Sequence, residues 1–210
     1  MPLEKASMNT TYPKTKGLAL SAMFAVLLGV LSLASIPLPF DPVPVTLQVF
    51  GIFLIVSLLG PYYGTLSCLI YLMFGLIGLP VFHGGSSGLP ILLGPTGGFL
   101  ISFPVASLIG GSISRATAKT RRTDLALLGV SYGISLLIIY SLGTIWLMEY
   151  LHVTLGEAII LGTLPFVGFD LIKGVIAAPI SARLRATRLD LPVNRTLRIG
   201  KIAEPEIQSG

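Results

Sequence analysis

Asp170 and Lys173 stand three residues apart inside an apolar run, residues 165–182. On a helix that spacing puts both side chains on one face. Charge at membrane depth costs roughly 2.5–3.5 kcal/mol per group on insertion scales, so such groups face a partner or a cavity. Of the fourteen Lys and Arg residues, Lys173 alone interrupts an apolar span. Asp170 can accept hydrogen bonds from ligand N–H groups, and Lys173 can donate to a carbonyl or carboxylate. Two other readings of the pair stay open at this level. One is a self-neutralising ion pair packed against another helix; the other is ion or proton coupling through Asp170.

Fewer residues elsewhere carry chemistry. Gln48 and Thr46 open a short apolar segment, and a buried amide needs partners, so Gln48 either caps its own helix region or lines the same cavity as the pair. Gly85-Ser86-Ser87-Gly88 matches the Gly-x-Ser-Gly pattern of intramembrane serine proteases, with His83 and His152 as the available bases. A nucleophile needs its base held within hydrogen-bond reach. Neither histidine has a rigid helical mount, and the chain is read as a non-enzyme. No Gly-x4-Gly-Lys-Ser/Thr motif occurs, so ATP hydrolysis by a P-loop is excluded. No His/Asp/Glu cluster has metal-ligand spacing, and the single Cys68 excludes a disulfide framework.

The elements that position these residues are membrane helices. Hydrophobic residues make up 53% of the 210, charged residues 11%, and the mean hydropathy is +0.87. Soluble domains carry about a quarter charged residues. Apolar spans are read at 17–36, 47–59, 63–79, 99–116, 125–148 and 165–182, with Pro104 an expected kink in the fourth. The second is short: 13 residues rise about 20 Å against a hydrocarbon core of ~30 Å, so it starts below the outer surface. A tight turn, Gly60-Pro-Tyr-Tyr-Gly64, separates it from the third.

Two connections are irregular. Residues 37–46 contain four prolines and cannot form a regular helix. Residues 80–98 contain six glycines, three prolines and no Lys, Arg, Asp or Glu. Irregular backbone at membrane depth is tolerated only where protein or a water-filled cavity covers it, and an apolar loop of this length reads as a lid. Trp146, Glu149 and Tyr150 read as an interfacial belt at the end of the fifth span.

Charge asymmetry orients the bundle. Lys5, Lys14 and Lys16, then Arg115, Lys119, Arg121 and Arg122, then the group from Arg183 to Lys201 follow an even number of spans. The opposite side carries only Asp41, Glu149, Glu157 and the two histidines. The positive-inside rule places both termini in the cytoplasm, so the pair and both irregular loops lie toward the outside. The expected organisation is a cytoplasmic segment 1–16, a transmembrane domain 17–182 and a basic cytoplasmic tail 183–210. The fold class is an all-α integral membrane protein of six transmembrane helices with an irregular glycine-rich outer loop. On the first span, Ser21, Ala25 and Gly29 recur every four residues, a stripe that permits close helix approach inside the bundle or against another protein.

Four stretches together resemble the BioY family: Val43-Pro-Val-Thr-Leu-Gln48, Gly78-Leu-Pro-Val-Phe82, Leu92-Leu-Gly-Pro-Thr-Gly-Gly98, and Pro165-Phe166 followed by Asp170-Leu-Ile-Lys173. Members are biotin-binding S components of energy-coupling-factor (ECF) vitamin transporters. The resemblance implies high-affinity capture of biotin from outside and uptake across the cytoplasmic membrane. It also implies a partner module, a transmembrane coupling protein with a pair of cytoplasmic ATPases, so that ATP is used only by the partners and the chain itself needs no cofactor. The family's acid and base map onto Asp170 and Lys173, and its glycine loop onto residues 84–98, which adds His83, Gly84 and Thr96 to Gln48 as expected substrate-binding residues. Ser21, Ala25 and Gly29 are the nearest counterpart of the family's docking stripe. His83 stands where the family pattern has a small residue, and the loop lacks Arg and Asn, so Lys173, His83 and loop amides are the candidates for the ligand carboxylate. The alternatives are a secondary transporter of a small vitamin-like substrate coupled through Asp170 and, from another class, the intramembrane protease.

Overall fold

The structure, a computed structural model, describes residues 14–39, 42–117, 125–187 and 191–194. Asp41, the loop residues Lys119, Arg121 and Arg122, and most of both terminal segments lie outside the described residues.

The first helix, α1, spans Lys14–Leu33. Two strands of two residues each follow, with β1 at Ser35–Ile36 antiparallel to β2 at Val45–Thr46. The helix α2 (Gln48–Leu58) leads straight into α3 (Gly60–Leu76). The glycine-rich loop contains a 3-10 turn at His83–Gly85 and the short helix α4 at Leu89–Leu93. Then come α5 (Gly97–Thr117), α6 (Leu125–Leu151), α7 (Leu155–Gly162) and α8 (Leu164–Ala186). Among the described residues, four helices, within α1, α5, α6 and α8, are long and apolar enough to cross a membrane by length and composition.

Helix α2 has only 11 residues, about 16 Å of rise. It is apolar on every side, and Ile52, Phe53, Ile55 and Val56 are fully buried. A helix hydrophobic all round belongs in a core, and α2 is that core. It packs against α1, α3, α5 and α8.

Several boundaries differ from the sequence expectation. The tight turn expected over residues 60–64 is a single-residue corner: Gly60 takes φ +71° and α3 starts there. Pro61 suits a first helical turn, because its missing N–H would have had no partner there. Gly111 of α5 presses on this corner, and a Cβ at that position would lie 2.8 Å from the Gly60 carbonyl carbon. The fifth span continues past 148 to Leu151 and stops at His152, which has φ +54°.

Helix α7 is absent from the sequence reading. It starts at a capping box, where the Thr154 side chain accepts from the Glu157 N–H and Glu157 accepts from the Thr154 N–H at 2.8 Å.

The last span extends to Ala186, so the segment expected to begin a polar tail is helical through its first four residues. Arg185 is buried, and its Nε donates to the Ser57 carbonyl at 2.8 Å. Its Nη2 also bonds the Ser114 hydroxyl. Lys173 is therefore not the only buried cation. Arg185 sits at the C-terminal end of α2, where a helix presents carbonyls that lack partners and a cation is favourable.

Candidate functional site

The site is assembled from both ends of the chain. Thr46 ends β2 and Gln48 starts α2, so the N-terminus of the short second helix stands beside the strand pair. Asp170 and Lys173 lie one turn apart on α8 and face that N-terminus. Both are nearly fully buried, at 2% and 8% exposure.

Burial at these values demands partners, and each atom has one. Lys173 Nζ lies 2.6 Å from Asp170 Oδ1 and 2.7 Å from the Thr46 carbonyl oxygen. The Tyr140 hydroxyl on α6 donates to Asp170 Oδ2 at 2.7 Å. Gln48 is held on both sides: its Nε2 donates to Tyr71 Oη at 2.6 Å, and its Oε1 accepts from Thr46 Oγ1 at 2.8 Å. Thr46, Gln48 and the α8 pair thus form one connected polar wall.

Facing that wall is a cavity of about 60 Å³. Its apolar sides include Val43, Val49, Phe99, Phe103, Ile139 and Phe166. His83 and Thr96 bring the glycine loop to the rim, with His83 Nε2 3.4 Å from Thr96 Oγ1. The loop is tied down on three neighbours. Ser32 Oγ of α1 donates to the Val81 carbonyl at 2.6 Å. Phe82 is fully buried over Gly75 of α3, where a Cβ would sit 1.9 Å from the Phe82 ring. Trp146 Nε1 of α6 donates to the Gly94 carbonyl at 2.9 Å.

Of the residues expected at the site, Asp170, Lys173, Gln48, His83 and Thr96 all line this cavity. Gly84 does not: it is exposed in the 3-10 turn with φ +62° and serves to reverse the chain. Ser21, Ala25 and Gly29 are all buried within the bundle. Ser21 Oγ donates to the Tyr63 carbonyl at 2.9 Å, and Gly29 lies against Val81. The stripe is consumed by packing against α3 and the loop, while Met23, Val26 and Val30 form the exposed face of α1.

Tyr140, on the cavity wall, and Trp146, holding the loop, are additions to the candidate site. A tyrosine within an apolar span carries no signal that its hydroxyl meets Asp170, and the tryptophan reads as an interfacial residue until its loop contact is seen.

The arrangement suits non-covalent binding. Its wall offers acceptors and donors close together, beside apolar surface for a compact ring system. In the loop, Ser86 Oγ donates to the His83 carbonyl at 2.8 Å, and the His83 imidazole faces Thr96. Among the described residues, no group of three or more His, Cys, Asp or Glu is placed to hold a metal ion.

The BioY family profile matches residues 5–190, nearly the whole helical part of the chain. The chain belongs to the BioY family. It is 42% identical over 172 residues to the probable biotin transporter BioY of Pyrococcus horikoshii, covering 82% of this chain and 98% of that one. With the biotin transporter BioY of Thermotoga maritima it shares 41% over 157 residues, 75% of this chain and 89% of the other. The fold matches the crystal structure of the S-component for biotin from an ECF-type ABC transporter, with a TM-score of 0.76 and 33% identity over 83% of this chain and 93% of that one. This BioY-family chain is a multi-pass membrane protein with the S-component fold.

Proposed function

We propose that the chain captures biotin from outside with high affinity and delivers it across the cytoplasmic membrane as the substrate-binding subunit of an ECF-type ABC transporter. One observation carries the reading: a buried acid and base, Asp170 and Lys173, stand side by side on the wall of a cavity with the glycine loop at its rim. The ureido ring of biotin has two N–H donors flanking one carbonyl. A carboxylate beside an ammonium group is the matching pattern of acceptor and donor. Phe99, Phe103 and Phe166 supply apolar surface for the bicyclic body.

Energy comes from partners in this account. A transmembrane coupling protein with a pair of cytoplasmic ATPases drives release to the cytoplasm, and both termini of the chain lie on that side. Uptake of labelled biotin by cells without their own biotin carrier tests the scheme. Cells given the chain together with such a module accumulate biotin, and an ATPase-dead module abolishes accumulation. Uptake by the chain alone that collapses with an uncoupler would instead assign Asp170 to proton coupling.

A further inference from the structure

The charges that line the pocket are balanced against each other. Lys173 Nζ is 2.6 Å from Asp170 Oδ1 and 2.7 Å from the Thr46 carbonyl, while Tyr140 holds Oδ2. A ligand carboxylate that enters this cavity therefore finds the α8 cation already committed. Leaving a carboxylate desolvated without a counter-charge is costly. Among the residues that line the cavity, His83 is the remaining one that can become positive.

The position of His83 suits that role. The preceding residue Phe82 is fully buried, its carbonyl accepts from Ser32 Oγ at 3.2 Å, and its N–H donates to the Ser86 carbonyl at 3.0 Å. The imidazole is thus carried on anchored backbone at the cavity rim, half-buried, with Thr96 Oγ1 at 3.4 Å from Nε2.

We propose that His83 takes up a proton as a carboxylate-bearing ligand binds, so that capture of the anion is coupled to protonation of this imidazole and tightens as pH falls. The inference rests on the biotin reading of the pocket, because biotin ends in a carboxylate. Burial holds the free imidazole below its ordinary range, so it is neutral near pH 7 before the ligand arrives. An adjacent carboxylate favours the charged imidazole and raises its pKa. Affinity is then constant below the free-state value, constant above the bound-state value, and rises as pH falls between them.

Other ionisable groups on the pocket walls are Asp170 and Lys173 on α8 and Tyr140 on α6; Tyr71 of α3 stands behind Gln48, and the exposed Glu149 and Glu157 are not part of the lining. Helices α2 and α4 carry no ionisable side chain, while Lys16 of α1 and Arg115 of α5 stand at the opposite end of the bundle. Asp41, two residues before the lining residue Val43, lies outside the described residues.

The test compares biotin with its uncharged primary amide on the purified full chain in lipid nanodiscs between pH 5.5 and 8. Biotin binding tightens about tenfold or more on acidification, and the amide shows no such trend. H83Q removes the trend for biotin. Calorimetry of the wild type in two buffers of different ionisation enthalpy gives proton uptake with biotin and none with the amide, which keeps the test independent of the variant's folding. A flat profile for biotin, an equal slope for the amide, or an unchanged slope in H83Q would each overturn the proposal. Absence of binding by both ligands at every pH would remove the biotin reading and this inference with it.

Discussion

Lys173 Nζ donates at 2.7 Å to the backbone carbonyl of Thr46, 127 residues earlier in the chain. This bond fixes the last helix against the entrance of α2 and turns a local acid–base pair into part of a pocket wall. Because a carbonyl of irregular backbone is satisfied by it, the proline-rich hairpin is held at a depth where water would otherwise be required.

The pair carries most of the proposed affinity. Removing one member of a buried pair leaves the other uncompensated, at a cost of about 3–5 kcal/mol. D170N and K173M are each expected to weaken biotin binding about 100-fold or more, which is the low end of that range. E149Q, exposed on α6, should stay within about twofold, since a surface charge of this kind contributes little. Titrations of all three, with thermal unfolding as a check on folding, decide it. Equal effects at the three positions would reduce the α8 pair to a packing role.

Trp146 reports on the loop. It is the chain's single tryptophan, and its indole N–H holds the Gly94 carbonyl. Biotin bound in the proposed pocket would sit beside the loop that this residue anchors, so biotin titration should change tryptophan emission. W146F loses one hydrogen bond of about 0.5–1.5 kcal/mol and should weaken binding about 2- to 10-fold, chiefly through faster release. Emission that is blind to biotin would separate the loop from ligand binding.

Arg185 secures the other end of α2. Its bonds to the Ser57 carbonyl and the Ser114 hydroxyl join α2, α5 and α8. R185M strips a charged cap from a buried helix end, a loss of about 1.5–3 kcal/mol. Thermal unfolding in detergent should drop by about 3–12 °C at 2–4 °C per kcal/mol. An unchanged midpoint would mean the guanidinium contributes nothing net.

Helix α7 depends on pH through its cap. The Thr154 N–H and hydroxyl hold the Glu157 carboxyl below the usual carboxylate range. A depressed folded-state pKa means the contribution is complete above the unfolded value and is lost as pH falls through the lowered one. Amide exchange in α7 should therefore speed up as pH drops through that region, beyond the chemical trend seen in α6. E157Q should show the faster exchange already at neutral pH.

How much of this is written in the sequence depends on the kind of signal. Asp170 and Lys173 stand out because charge is costly in an apolar span, and the two irregular loops because proline and glycine forbid regular helix. Those are local properties. Tyr140 meets Asp170 across two helices, and nothing in the pattern of α6 registers a contact with α8. Arg185 falls past the end of the apolar run, where composition reads as tail, although it is buried against α2. The small stripe on α1 is legible as a close approach, but the sequence leaves open what approaches it; the Tyr63 carbonyl and Val81 are the answer. Helix α7 did carry a signal, the Thr-x-x-Glu box at 154–157 ahead of an apolar run.

Equilibrium binding of biotin to the purified, folded chain is the most direct test. The account predicts saturable binding that D170N and K173M weaken about 100-fold or more. No detectable binding by folded protein, or full binding that survives both substitutions, would contradict it.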